Sequence, residues 1–374
     1  MSLRLTVVQV LPALESGGVE RGTLEVARYL VQKGHRSIVI SAGGRLVPQL
    51  EAEGSEHISW PIGCKSLLTL RLIPSLRHFL EDNQVDIMHA RSRFPAWISF
   101  LAWKNMPASS RPRFITTVHG RYSVSPYSRI MTRGEQVIVV SGMIRDYVLK
   151  HYPIKPNRLR LNYRGVDPAA FPYGYQPGKD WLRQWYSEFP QTKGKKLITL
   201  PGRITRWKGQ LDFIQFIAQL RLTHPDIHGL IVGEVKTGKA AFQQELEQEI
   251  TRLGLQETIS FSGHRRDVRE IMAVSSIVLS FSTQEEAFGR TTLEALSLGR
   301  PVIAYAHGGV AEQLAEILPA GQVAVGDIQH ACQLADCWLN QPPIVPDSHP
   351  FQLETMLKTT LAVYQDALLL PRLL

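Results

Sequence analysis

Residues 282–309 read STQEEAFGRTTLEALSLGRPVIAYAHGG, and they decide the fold. The run before them, SIVLSF at 276–281, is apolar and of strand length, and PVIAY at 301–305 is a second such run. Between the two, Phe288-Gly289-Arg290-Thr291-Thr292 is a turn running into a helix. In a strand-turn-helix unit the helix N-terminus points its unpaired N–H groups at the carboxyl edge of the sheet. That end favours an anion, most often a phosphate. Glu286 precedes the helix and Glu294 lies within it. Carboxylates are badly placed to bind phosphate but well placed to accept hydrogen bonds from sugar hydroxyls. The expected ligand is therefore a sugar joined to a phosphate. A solvated acidic helix start is the competing reading, because Glu suits the positive end of the helix dipole. The pair alone does not separate the two.

The same unit recurs along the chain. LTVVQVL at 5–11 is a buried strand, Gly17-Gly18 a turn, and 19–32 an amphipathic helix. This layout cradles phosphate in many folds. Strands follow at 37–41, 85–89, 114–118 and 137–140, and 158–163 closes the half. They alternate with helices at 66–80, where Pro74 should mark a kink or break, at 95–104, and from Ser141 onward. The second half repeats the pattern, with strands at 197–200, 230–233, 259–261, 276–281, 301–305 and 323–325. Continuous Val/Ile/Leu strands alternating with helices imply parallel sheets covered on both faces.

Two segments rich in Gly and Pro, 162–179 and 341–350, read as linkers. The fold class is thus α/β, with two Rossmann-like parallel-sheet domains facing a central cleft. The first spans residues 1–172 and the second 173–349. A last helix within 350–374 is expected to cross back to the first domain.

The 374-residue chain is 44% apolar and carries a net charge of +9, unevenly distributed. Residues 1–175 hold 23 Lys+Arg against 12 Asp+Glu, and the remainder 19 against 21. A basic first half calls for an anionic partner, such as a phosphorylated lipid or a membrane surface; nucleic acid is not expected. Three cysteines form no paired framework, which fits a reducing compartment, and Cys332 and Cys337 read as core filler. No apolar run approaches the roughly 18 residues of a spanning helix. The expected location is cytoplasmic, at most peripheral on the inner face of the membrane.

Ligands of such sheets bind beyond the carboxyl ends of strands. Gly17-Gly18, His89-Ala90-Arg91-Ser92-Arg93 and His119-Gly120-Arg121 fall there in the first half. Arg91, Arg93 and Arg121 could grip phosphate on an acceptor. The polar loop 121–128 is long enough to move and close over a substrate. In the second half Gly202 lets a backbone approach closely, and Arg203 and Lys208 flank the turn as a diphosphate clamp. Gly263 and His264, at the end of another strand, suit a nucleobase read through backbone groups.

With these residues in hand, the chain resembles the retaining glycosyltransferases of family 4, which have the two-domain GT-B fold. Gly17-Gly18-Val19-Glu20-Arg21 is similar to the family's N-terminal glycine loop, and Gly202-Arg203-Ile204 with Lys208-Gly209 to its G-R-x-x-x-x-K-G signature. Glu286 and Glu294 match its E-x7-E pair, and His307-Gly308-Gly309 its later glycine turn. The resemblance implies that Arg203 and Lys208 hold the donor diphosphate and that backbone at Phe288, Gly289, Arg290 and Thr291 touches phosphate and sugar. It further implies that Glu286 binds donor-sugar hydroxyls, Glu294 the ribose, and that His119 approaches the transferred sugar. The chain departs from the family at Arg164, where Asn is common, and at Arg290, where an apolar residue is usual. HARSRFPAW at 89–97 and RGVDPAAF at 164–171 are similar to a bacterial subgroup linked to lipopolysaccharide or other surface glycans.

The implied activity is retaining transfer of a hexose from a UDP- or GDP-linked sugar to a hydroxyl of an anionic glycan or glycolipid. No Asp-x-Asp motif is present, so neither a metal nor a further cofactor is expected. Two rival readings are a nucleotide-sugar epimerase of the same fold and a non-enzymatic basic module that docks on anionic lipid.

Overall fold

A computed structural model of the chain describes residues 4–15, 17–235 and 240–371. The chain divides into two compact units, Met1–Arg164 with Glu354–Leu374, and Gly165–Leu353. The chain thus changes unit earlier than residue 172 and returns later than 350. The reason is local pairing of the two connecting segments with each other. Val166 donates to the Phe351 carbonyl at 3.2 Å, and Leu353 donates back to Val166 at 3.0 Å. Gly165 lies so close to Gln352 that a Cβ there would sit 2.4 Å from its backbone.

Unit 1 is built on seven strands: β1 Thr6–Val10, β2 Arg36–Ser41, β3 Glu56–Ser59, β4 Ile87–Ala90, β5 Arg113–Val118, β6 Gln136–Val139 and β7 Leu159–Leu161. All pair in parallel, in the order β3-β2-β1-β4-β5-β6-β7. Helices α1 Gly18–Gln32, α2 Val47–Ala52, α3 Leu72–Asp82, α4 Arg93–Lys104 and α5 Gly142–His151 connect them. Unit 2 holds α6 Lys179–Glu188 and then β8 Lys196–Pro201, β9 Ile227–Val232, β10 Ile259–Gly263, β11 Ser275–Ser280, β12 Val302–Tyr305 and β13 Gln322–Val323. These are also parallel, in the order β10-β9-β8-β11-β12-β13. Helices α7 Gln210–Leu220, α8 Ala240–Arg252, α9 Val268–Val274, α10 Arg290–Ser297, α11 Gly308–Ile317 and α12 Ile328–Asn340 complete it, and α13 is Leu353–Leu369.

Central strands are buried along their whole length because both sheet faces are covered, as β4, β5, β6 and β9 show, and they are mostly apolar for that reason. Pro74 sits in the first turn of α3, where its missing N–H has no intrahelical acceptor to lose, and a short 3-10 turn, Leu67–Arg71, precedes it. The sequence reading overlooked β3, whose largely polar residues EHIS lie half exposed at the sheet edge, and the short α2. Cys337 is exposed and Cys332 half-buried, so Cys337 fills no core.

From Glu354 onward α13 belongs to unit 1. Tyr364 lies 2.7 Å from His89, Asp366 pairs with Arg160 at 2.7 Å, and Asn162 donates to Thr360 at 2.9 Å. The strand order reverses between β1 and β4 in one unit and between β8 and β11 in the other. Crevices of doubly wound sheets open at such points.

Candidate active site

The site in unit 2 begins with three glycines. Gly202 follows β8, Gly233 follows β9, and Gly263 ends β10, with φ of 153°, 148° and 68°. Gly202 donates to the Val232 carbonyl at 2.8 Å, and Gly233 donates to Gly263 at 3.0 Å. A Cβ on Gly233 would lie 2.0 Å from the Gly202 oxygen, so no other residue fits there. Three neighbouring strand ends thus present bare backbone, the surface a flat ring can approach. Gly233 was missed in the sequence because no motif surrounds it; its place beside Gly202 follows from sheet order. His264 is exposed at the same rim, 3.7 Å from Glu234.

Beyond Gly202 the chain turns through Arg206–Lys208 into α7. Gly209 has φ 76° and packs on the Phe281 carbonyl, while Thr283 donates to the Trp207 carbonyl at 2.8 Å. These contacts bind the turn after β8 to the loop after β11. As a result Lys208 Nζ lies 2.7 Å from Glu286 Oε1, with the two side chains 14% and 15% exposed. Ser282 also donates to Glu286. The Lys208 ammonium lies over the Trp207 ring at 4.7 Å. Arg203 is exposed at the mouth of the turn.

Glu286 is held from behind. Gly309 donates to its carbonyl at 2.8 Å, and the tight approach of Gly308, at φ 64°, excludes a side chain. Ser280, Ser282, Glu286, Tyr305, His307 and Val310 line a small pocket, across which His307 Nε2 reaches the Ser282 carbonyl at 2.6 Å. Phe288 is buried, Gly289 caps α10 at φ 85°, and Arg290 and Thr291 form its first turn. A helix N-terminus of this kind favours an anion. Glu294 is 4% exposed and accepts from Arg290 Nε at 3.1 Å. The residue expected to meet ribose is therefore covered by the arginine that departs from the family pattern.

In unit 1, His119 follows β5. Arg164 donates to its Nδ1 at 2.7 Å, so the neutral ring carries its proton on Nε2. That Nε2 is out of solvent and has no hydrogen-bond partner among the described residues. Burial, reinforced by Arg164, Arg91 and His89, holds His119 well below the ordinary histidine range. Gly22 of α1 makes room for this cluster, since a Cβ there would lie 2.6 Å from Arg164 Nη1 and 3.2 Å from Arg91 Nη2.

The other unit 1 candidates divide. Arg91 was expected to grip acceptor phosphate, but it is 2% exposed and donates to Gln9 at 2.7 Å. It points inward because Gln9 on β1, with the carboxylates of Glu25 and Glu20 nearby, offers compensation inside the unit. Arg93 is half-buried, donates to Ser128 at 3.2 Å and lies over the rings of Tyr122 and Tyr127. Arg121 is exposed, with its guanidinium over Tyr147. The loop 121–128, expected to be free to close, is tied down: Trp97 donates to the Tyr127 carbonyl at 2.9 Å and Tyr152 to that of Ser123 at 3.3 Å. Gly17 is extended at φ 166° and precedes α1, which opens at Gly18. The Glu20 carboxylate lies 2.6 Å from where a Cβ of Gly17 would be, so an acidic side chain already folds over this turn.

Two parallel-sheet units in one chain, each with its strand order reversing near the centre, are the GT-B arrangement. Profiles for Glycosyltransferase Family 4 and for Glycosyl transferases group 1 match residues 16–170 and 184–342. A glycosyltransferase from Rickettsia africae superposes with a TM-score of 0.82 at 30% identity, over 98% of this chain and 99% of that one. HepE of Anabaena in complex with UDP-glucose gives 0.81 at 20% identity, over 97% and 100%. The lipopolysaccharide core biosynthesis mannosyltransferase LpsB of Rhizobium meliloti is 23% identical over 63% of this chain and 67% of its own length. The chain belongs to the family 4 glycosyltransferases of GT-B fold and is a glycosyltransferase.

Proposed function

We propose that the protein transfers a hexose from a UDP- or GDP-linked donor to a hydroxyl of an anionic glycan or glycolipid, with retention of anomeric configuration. The observation that carries this reading is the contact of Lys208 with Glu286 at the β8/β11 switch point. Each needs a new partner when the other is drawn away, and a sugar diphosphate supplies both. The diphosphate takes Lys208, Arg203 and the α10 N-terminus, and the sugar hydroxyls take Glu286. Gly202, Gly233 and Gly263 take the base, with His264 at the rim, and Glu294 and Arg290 lie on the ribose side. That HepE was solved with UDP-glucose makes uridine the first base to test.

In the reaction the acceptor oxygen forms its bond to the anomeric carbon on the face from which the diphosphate oxygen departs. That departing oxygen accepts the acceptor's proton. Lys208 and Arg203 neutralise the charge developing on the diphosphate, a kind of stabilisation worth about 3–4 kcal/mol per group. Because these cations do that work, transfer should proceed with chelator present. His119 Nε2–H donates to the transferred sugar. Arg93 and Arg121 are the acceptor-side cations that remain after Arg91 turns inward. The LpsB likeness and the basic first half support a lipopolysaccharide core or similar surface glycolipid, met by a protein peripheral on an anionic membrane.

Thermal-shift screening of UDP, GDP, ADP and CDP tests the donor. A ligand at 100 times its Kd stabilises by about 2.7 kcal/mol, and a screen in which no nucleoside diphosphate shifts the transition would refute the reading. Donor consumption that needs no acceptor would favour the epimerase. NMR of the product linkage then reads the anomeric outcome.

A further inference from the structure

We propose that the turn Leu67–Arg71 docks the enzyme on an anionic lipid bilayer, with Leu67, Leu68 and Leu70 entering the interface. The proposal deepens the glycolipid-acceptor reading and rests on it for its purpose. The three leucines are 84%, 64% and 43% exposed, on a single turn of five residues. The turn holds its own shape. Ser66 accepts from the Leu68 N–H at 3.2 Å, and buried Thr69 donates to the Cys64 carbonyl at 2.8 Å. Its apolar tips are therefore presented before any partner arrives, and little ordering is required on binding.

Charge selects the occupant. Exposed Lys65 and Arg71 flank the leucines, and residues 57–80 contain no Asp or Glu. Lys65 also lies 5.8 Å from the Tyr127 ring, which joins the turn to the loop bearing Arg121 and the 58% exposed Val124. The whole stretch 87–134 is likewise without a carboxylate while holding eight Lys and Arg. Exposed leucines on one turn between long cationic side chains suit a fluid apolar layer under anionic headgroups better than a shaped protein pocket. Among the described residues no helix is long and apolar enough to cross a membrane, so attachment would be from one side.

Topology gives the contact its use. The turn lies on the connection that leaves β3 at the carboxyl edge of the unit 1 sheet. His119 and the α4 N-terminus with Arg93 lie on that same edge. A bilayer held there would bring lipid-borne acceptor headgroups to the acceptor cations.

Flotation of the full chain with vesicles of phosphatidylcholine, alone or mixed with phosphatidylglycerol, tests this. The wild type should float with the mixed vesicles at low salt and weakly with phosphatidylcholine alone. Leu67→Ser/Leu68→Ser should lose roughly tenfold in affinity per leucine. Lys65→Gln/Arg71→Gln should lose roughly fivefold per cation on anionic vesicles only. Nucleoside diphosphate thermal shifts should be unchanged in both variants, so failure of docking is distinct from failure of the donor reading. Wild-type protein that stays off anionic vesicles, or a leucine variant that floats as well as wild type, overturns the proposal. A dimer in solution that the leucine variant converts to monomer also overturns it and assigns the turn to self-association.

Discussion

Replacing Glu286 with Gln should strengthen binding of UDP while crippling transfer. The contact is 2.7 Å, between side chains only 14% and 15% exposed. Two unit charges about 4 Å apart interact by about 4 kcal/mol at an effective dielectric of 20 and about 1 kcal/mol in water. Loss of the carboxylate's charge also releases Lys208 from a charged hydrogen bond, whose net worth is about 1.5–3 kcal/mol. Part of that is returned because glutamine can still accept a hydrogen bond. A gain of about 1.5–2 kcal/mol is left for a diphosphate that takes Lys208, or roughly 10- to 30-fold in Kd. The sugar hydroxyls meanwhile lose their anionic acceptor, and kcat/KM should fall roughly 100-fold. Titration calorimetry with UDP and GDP, beside a nucleotide-release assay, reads both quantities. UDP binding that weakens in this variant would refute the reasoning, because Glu286 would then support diphosphate binding rather than compete for its lysine.

Arg164→Asn should make the rate depend on pH where the wild type is flat. Arg164 is the second cause, after burial, that depresses the His119 pKa, so its removal lets that pKa rise toward the ordinary histidine value. The variant should lose activity as pH falls below neutrality, because a cationic ring beside the transferred sugar opposes the positive charge that builds at its anomeric carbon, with a slope of up to about one log unit per pH unit; parallel pH–rate profiles would count against the pair. Gly233→Ala should cost about 2–3 kcal/mol and abolish the UDP thermal shift, because its Cβ would stand 2.0 Å from the Gly202 oxygen. Gly263→Ala, whose Cβ meets nothing within 4 Å, should cost only about 1–2 kcal/mol. His228 is buried and its pKa is lowered to about 4. The unfolded chain then takes up a proton near 6.5 that the folded one refuses, so its contribution is fully present above 6.5 and lost as pH falls to about 4. That amounts to about 3 kcal/mol. Urea unfolding at both pH values should show a smaller acid loss in His228→Asn than in the wild type.

The repeating strand-turn-helix units, the parallel sheets and the glycosyltransferase motifs were legible in the residue pattern. Those features are short-range: a strand buried on both faces is mostly apolar along its length, and a turn that opens a helix must carry the right residues within a few positions. The stretch 282–309 held β12, α10 and both carboxylates in one legible piece. Which charges meet is a property of the folded chain. Lys208 and Glu286 are far apart in the chain and touch because β8 and β11 are neighbours in the sheet. Arg164 reaches His119 across a sheet edge, and Gly233 joins Gly202 and Gly263 through strand order alone. Arg91 shows the converse. Its place after β4 was legible, but a strand-end residue can point to either face, and Gln9 on the adjacent strand drew it inward. Strand order and side-chain direction are set by packing between segments distant in sequence, which local patterning does not encode.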